Sequence, residues 1–140
     1  MKYFCIDPEV AGGLGGETII ETRKTPPLVT SLHYTFEGWL GDEILQSFPC
    51  YIVSRGLAND IEANELSGVL FGDVKVDVSE TFKDLYPDRP LPPFVWMKVT
   101  GREGADDFFL SSDSRLVVSE NAWRLIKPRA HNCKVTQLSE

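Results

Sequence analysis

The chain has 140 residues, enough for one domain with a real hydrophobic core. Its 21 acidic and 14 basic side chains leave a formal charge of −7, which argues against a nucleic-acid or anionic-membrane binder and suits a partner that is itself basic. No apolar run is long enough to span a bilayer, and Lys2 leads through a short mixed stretch to Asp7 and Pro8 rather than into a signal peptide, so a cytoplasmic protein is expected.

Lys2 to Asp7 reads as a first strand. Gly12, Gly13, Gly15 and Gly16 follow. A dinucleotide-binding loop would need a helix after the glycines, with its N-terminus facing the phosphates. Here the next residues are Glu17-Thr18-Ile19-Ile20-Glu21-Thr22 and then Pro26-Pro27, so a flexible inter-strand loop is expected. Leu28 to Phe36 alternates through Val29, Leu32, Tyr34 and Phe36 as one strand or extended segment. His33 lies within it, with no second ligand at metal-binding spacing, and reads as a half-buried strand histidine.

Glu37 to Phe48 is a helix candidate, because Trp39, Leu40, Ile44, Leu45 and Phe48 recur near helical spacing and Pro49 would end it. Cys50 to Val53 is a short buried strand. Ser54 can cap a helix over Arg55 to Glu65, with Leu57, Ile61 and Leu66 inward. Val69 to Val78 then reads as one half-exposed strand, its valines at 74, 76 and 78 alternating with Asp73, Lys75 and Asp77. Ser79 to Tyr86 suggests one or two helical turns with Phe82 and Leu85 inward. Four prolines between Pro87 and Pro93 require an extended loop, and Phe94 to Gly101 has apolar residues on both faces, as a central strand would.

Asp106 to Leu125 reads as strand, polar turn, strand and helix. Leu116-Val117-Val118 is the buried strand, Ser119 is the cap, and Ala122, Leu125 and Ile126 share one helical face. The middle of the chain has the same layout: Val53-Ser54 and Val118-Ser119 each open a helix with an isoleucine seven residues after the serine. Two strand–serine–helix–strand units are expected, from either a shared structural solution or a duplication.

Residues for chemistry are sparse. Cys5, Cys50 and Cys133 are odd in number and have no CxxC spacing, so neither a disulfide framework nor a zinc site is expected. Buried, reduced thiols are expected instead. His131 and Cys133 could be weighed as a base and nucleophile, but no orienting third group or oxyanion donor accompanies them, and Cys133 and Val135 are expected to face the core from the closing strand. Asp106, Asp107 and Asp113 lack the regular oxygen spacing of a calcium loop, and Asp113-Ser114 reads as a hairpin tip. Ser54 and Ser119 are better explained as caps than as nucleophiles. No catalytic residue, metal or cofactor is expected.

Charge is uneven. Between Asn59 and Asp88 there are eight acids and two bases, whereas Ala122 to Leu138 holds four bases and no acid. The acids Asp60, Glu62, Glu65, Asp73, Asp77, Glu80 and Asp84 are the expected partner-binding surface, with Trp39, Tyr86 or Trp123 as apolar anchors.

Asp107-Phe108, a polar turn, Leu116-Val117-Val118-Ser119-Glu120, an amphipathic helix ending near Ile126 and a closing strand together resemble the C-terminal part of small bacterial immunity proteins that accompany polymorphic or contact-dependent toxins. Phe48-Pro49-Cys50-Tyr51-Ile52-Val53-Ser54 and Leu66-Ser67-Gly68-Val69-Leu70-Phe71 are similar in style to the same group, so the resemblance covers about half the chain. It implies a non-enzymatic protein that binds and neutralises a cognate toxin. The expected fold is a single α+β domain with a mixed, mostly antiparallel sheet of about six strands and three to four short helices, mostly on one face. The alternatives are a ligand-binding or enzymatic domain with a pocket beside the Pro87 to Pro93 loop, or a subunit of a larger assembly.

Overall fold

The computed structural model describes residues 2–24 and 27–138, and Pro26 of the Pro26-Pro27 pair lies outside them. The chain opens with β1 (Tyr3–Asp7), β2 (Gly12–Leu14), β3 (Ile19–Glu21), β4 (Leu28–Ser31) and β5 (His33–Phe36). A hairpin of β6 (Ile44–Ser47) and β7 (Cys50–Ser54) feeds α1 (Arg55–Ala63). β8 (Val69–Gly72), β9 (Lys75–Val78), α2 (Glu80–Leu85) and β10 (Phe94–Val99) follow. A second hairpin, β11 (Phe108–Leu110) and β12 (Leu116–Ser119), feeds α3 (Glu120–Ile126), a 3-10 turn at Lys127–Arg129 and β13 (Lys134–Gln137).

The class is α+β, with antiparallel pairing dominant; among the named strands of the described residues, β5 and β9 are the one parallel pair. Among the described residues the strands form four sheets instead of one of about six strands. Two are four-stranded and antiparallel, in the orders β6-β7-β10-β8 and β11-β12-β1-β13. The others are β2-β5-β9 and the β3-β4 ribbon.

The two four-stranded sheets are built alike. In each, a hairpin leads through a serine cap into a helix, the helix returns an edge strand, and the remaining inner strand comes from a distant part of the chain. Matching detail extends to single bonds. Ser54 N donates to Glu43 O at 2.9 Å, and Ser119 N donates to Asp107 O at 2.8 Å. Ser54 pairs with Phe94 and Ser119 with Tyr3. The first helical amides, Arg55 N and Glu120 N, donate to Pro93 O and Lys2 O. The expected pair of units is therefore present, and each borrows one strand: β10 in the first, β1 in the second.

Two apolar clusters stabilise this arrangement, on opposite faces of β6-β7-β10-β8. Strand alternation sends Tyr51, Val53, Val95 and Met97 to one, with α1 and α3, and Ile52, Phe94 and Trp96 to the other, with β5 and Phe82 of α2. Two of the three helices, α1 and α3, thus lie on one face, as expected, and α2 lies on the other. Phe94 to Val99 is inside the sheet, as its two apolar faces predict.

Several expected elements are corrected. Glu37 to Phe48 is not a helix but a series of bends followed by β6. Gly41 has φ +106, outside the helical region. Ile44 and Leu45 are both fully buried because they enter opposite clusters, an arrangement open to a strand with two covered faces. Leu28 to Phe36 is divided between two sheets, and so is Val69 to Val78. Gly12 to Leu14 is a strand on β5 instead of a flexible loop, and a Cβ on Gly12 would strike the Thr35 carbonyl. Leu85 faces solvent; the inward residue of α2 is Phe82. Cys133 precedes the closing strand, and every residue of that strand is exposed, Val135 included.

Candidate interaction surfaces

The side chains that could carry chemistry are engaged in structure. Ser54 Oγ accepts from Leu57 N at 3.1 Å and donates to Glu43 Oε1 at 2.6 Å. Ser119 Oγ accepts from Ala122 N at 3.2 Å and donates to Asp107 Oδ1 at 2.6 Å. Both are buried caps, as expected, and both have a second, carboxylate partner that local sequence does not reveal. His33 is buried more fully than expected: Nδ1 accepts from Glu17 N at 3.1 Å, and Nε2 lies 3.0 Å from Asp77 Oδ2. The Thr35 hydroxyl, followed by His33, holds Asp77 below the usual carboxylate range. Among the described residues, no three His, Cys, Asp or Glu side chains converge as a metal set.

His131 and Cys133 line one cleft. Burial pushes the Cys133 thiol up to about 11, with the carboxylates of Asp42 and Asp7 adding to the rise. A nucleophilic cysteine needs the opposite shift. Cys50 is likewise raised to about 11 by burial, and the three cysteines are free thiols, Cys50 buried and the others half-buried. Asp106 accepts from Arg102 N at 2.7 Å, Asp107 from Ser67 N at 2.9 Å, and Asp113 from the Ser111 hydroxyl. The three aspartates therefore hold turns and strand junctions.

Glu9 and Asp42 are buried acids that sequence patterns do not single out. Glu9 accepts from Leu40 N at 2.7 Å and Asp42 N at 3.3 Å, and burial raises its carboxyl. Asp42 accepts from Asn132 N at 2.9 Å and Asn132 Nδ2 at 3.0 Å. Glu9 ties the bends before β6 to the segment after β1, and Asp42 ties them to the loop before β13. Their partners are distant in sequence, so no local signal marks them.

The acidic stretch is divided by the fold. Asp60, Glu62 and Glu65 belong to α1 and its C-terminal end, on one face of the β6-β7-β10-β8 sheet. Glu80 and Asp84 belong to α2, packed on the other face. Asp73 and Asp77 are exposed beside and within β9. Asp60 is paired with Arg129, which also lies 3.5 Å from Glu43, and Glu80 lies 3.4 Å from Lys83. Glu62, Glu65, Asp73 and Asp84 are exposed carboxylates. Of the expected anchors, Trp39 and Trp123 are each only 9% exposed, and Arg89 stacks 4.5 Å over the Trp39 ring.

Exposed apolar side chains lie elsewhere. Phe48 is 62% and Leu28 46% exposed. Leu28 and Pro49, the residue after Phe48, line a groove of about 480 Å³ that also includes Tyr51, Trp96, Met97 and Lys98. Lys98 Nζ sits 4.5 Å over the Trp96 ring. An open depression of about 630 Å³ lies beside the proline loop, between Val76, Asp77 and Lys83 and Leu91 to Phe94. Two further grooves run between helix and edge strand: one of about 400 Å³ along α1 and β8, and one of about 560 Å³ along α3 and β13. No helix among the described residues is long and apolar enough to cross a membrane. No protein-family model and no curated protein matches this sequence.

Proposed function

We propose that the protein acts in the cytoplasm as a non-enzymatic binding protein that captures and neutralises a cognate, basic toxin. The observation that carries this reading is two exposed apolar side chains: Leu28, which lines the groove with Tyr51 and Trp96, and Phe48, whose chain neighbour Pro49 lines it. Apolar side chains beside a groove serve as anchors in protein interfaces. The exposed carboxylates Glu62, Glu65, Asp73 and Asp84 would steer a cationic partner and restrict its choice of surface. The engagement of Ser54, Ser119 and His33 in caps and strand contacts, with Cys133 held as a thiol, supports binding over covalent catalysis.

The test uses the C-terminal domain of the protein encoded immediately upstream, expressed alone and together with this chain. Growth arrest by the domain alone, relief on co-expression and a stable complex on gel filtration are the expected results. Arrest that this chain does not relieve, or a harmless upstream domain, overturns the reading. A second reading, small-molecule binding, is favoured by the groove at Trp96, whose volume and mixture of apolar walls with Lys98 suit a ligand pocket.

A further inference from the structure

The two matching units each leave a groove between a helix and its edge strand, and the grooves differ in charge. Glu62 and Lys127 both stand eight residues after their cap serine, Ser54 and Ser119. Glu62 lines the groove along α1 and β8, where Lys98 balances it, and Lys127 lines the groove along α3 and β13. Arg124 and His131 also line the second groove, whose lining contains no carboxylate. Lys134, on the strand itself, adds a further exposed base. The nearest acid on α3, Glu120, is shared between Arg124 at 3.4 Å and Lys2 at 3.9 Å. Asp7 stands opposite Lys134 on β1 and Asp42 is bound by Asn132, but Arg124, Lys127 and Lys134 outnumber them, so a local cationic surface stands on a chain whose formal charge is −7.

The groove has the shape for an extended occupant. β13 ends its sheet, so it pairs with β1 on one side, and its other edge is open among the described residues. Val135 is 44% exposed on that strand, and Trp123 reaches the groove from α3, its ring centroid 6.3 Å from that of Phe4. An open strand edge supplies backbone hydrogen bonds to an added strand, while the neighbouring cleft takes alternate side chains.

We propose that the groove between α3 and β13 docks an extended acidic segment of a partner protein, added as a strand to β13 with an apolar side chain against Trp123 and Val135. A short acidic segment senses mainly the local bases, because charges beyond about 8 Å are screened at physiological salt. A nucleic acid is long enough to meet the protein's acidic surfaces as well, so the charge layout favours the peptide. The site is independent of the toxin reading, in which a basic partner meets the acids.

The test is a titration of the full chain, labelled for amide NMR, with a short blocked peptide of alternating glutamate and apolar residues around a central phenylalanine. Shifts confined to the amides of Lys134 to Gln137 and the Trp123 indole are the expected result. In the double variant R124E/K127E the affinity falls about tenfold or more, and K127A, a milder change at an exposed position, weakens binding in the same direction. E62K in the matching groove leaves the affinity unchanged, and a lysine version of the peptide gives no shifts. Absence of shifts at about 1 mM peptide, shifts elsewhere, or binding unaffected by either groove variant overturns the proposal. So does tighter binding of single-stranded oligothymidine to the same amides, which would assign the groove to polyanions. None of these outcomes bears on relief of toxicity, so the two readings fail separately.

Discussion

Gly15 and His33 pack so closely that a methyl group at position 15 would collide with the imidazole ring. The ring cannot swing aside freely, because it is 6% exposed and is held by the Glu17 amide on Nδ1 and by Asp77 at Nε2. Gly15 N also donates to His33 O at 2.7 Å, which keeps the two backbones together. The glycine is there for space, and its neighbour is the reason that a glycine-rich sequence without a following helix still forms an ordered structure. Gly15→Ala is expected to lower stability by about 1–3 kcal/mol through overpacking. The same substitution in a His33→Ala background should cost less than about 0.5 kcal/mol, because its obstacle has gone. Urea unfolding of the four proteins of this cycle provides the measurement. An equal cost in both backgrounds would place the strain in the backbone instead.

The serine-capped hairpins show how far local reasoning reaches at the level of elements. A cap needs only an oxygen and an amide three residues on, so Ser54 and Ser119 were legible from sequence. The second partners, Glu43 and Asp107, lie eleven and twelve residues earlier and become neighbours only when each hairpin closes. The helix expected over Glu37 to Phe48 failed for a related reason. Trp39, Leu40, Ile44, Leu45 and Phe48 match one helical face, yet Leu40 and Phe48 are over 60% exposed while Ile44 and Leu45 are buried in different clusters. Spacing alone cannot distinguish a helix from a strand with both faces covered. The paired roles of the serines are open to test. Ser54→Ala and Ser119→Ala should each lower stability by about 1–2 kcal/mol, the usual loss of a cap. Ser119→Asp should be worse than Ser119→Ala, although aspartate is normally a good cap, because its carboxylate would face Asp107. If urea unfolding finds Ser119→Asp as stable as the natural protein, Asp107 contributes nothing to the cap.

Across the whole molecule, the β6-β7-β10-β8 sheet separates acids that the sequence places in one run. α1 carries Asp60 and Glu62, with Glu65 just beyond its end, on one side, and α2 carries Glu80 and Asp84 on the other. A protein partner engages one contiguous patch, so these groups need not contribute equally to one interface. Asp60 is distinct again: its bond to Arg129 ties α1 to the 3-10 turn after α3, so its reversal tests folding as much as binding. Asp60→Lys is expected to lower stability by about 1 kcal/mol, the scale of a half-exposed ion pair. The exposed pairs allow a cleaner comparison. Glu62→Lys with Glu65→Lys alters only the α1 side, and Glu80→Lys with Asp84→Lys alters only the α2 side. Under the toxin reading, one double variant should slow association about tenfold or more at low salt, with a shallower salt dependence, while the other stays within about twofold. Stopped-flow association with the toxin domain at two ionic strengths makes the comparison, and unfolding midpoints show that both variants remain folded. Equal slowing by both would mean steering by net charge, with no single acidic docking face. No effect from either would remove these four acids from the interface and leave Phe48 and Leu28 as the groups that bind.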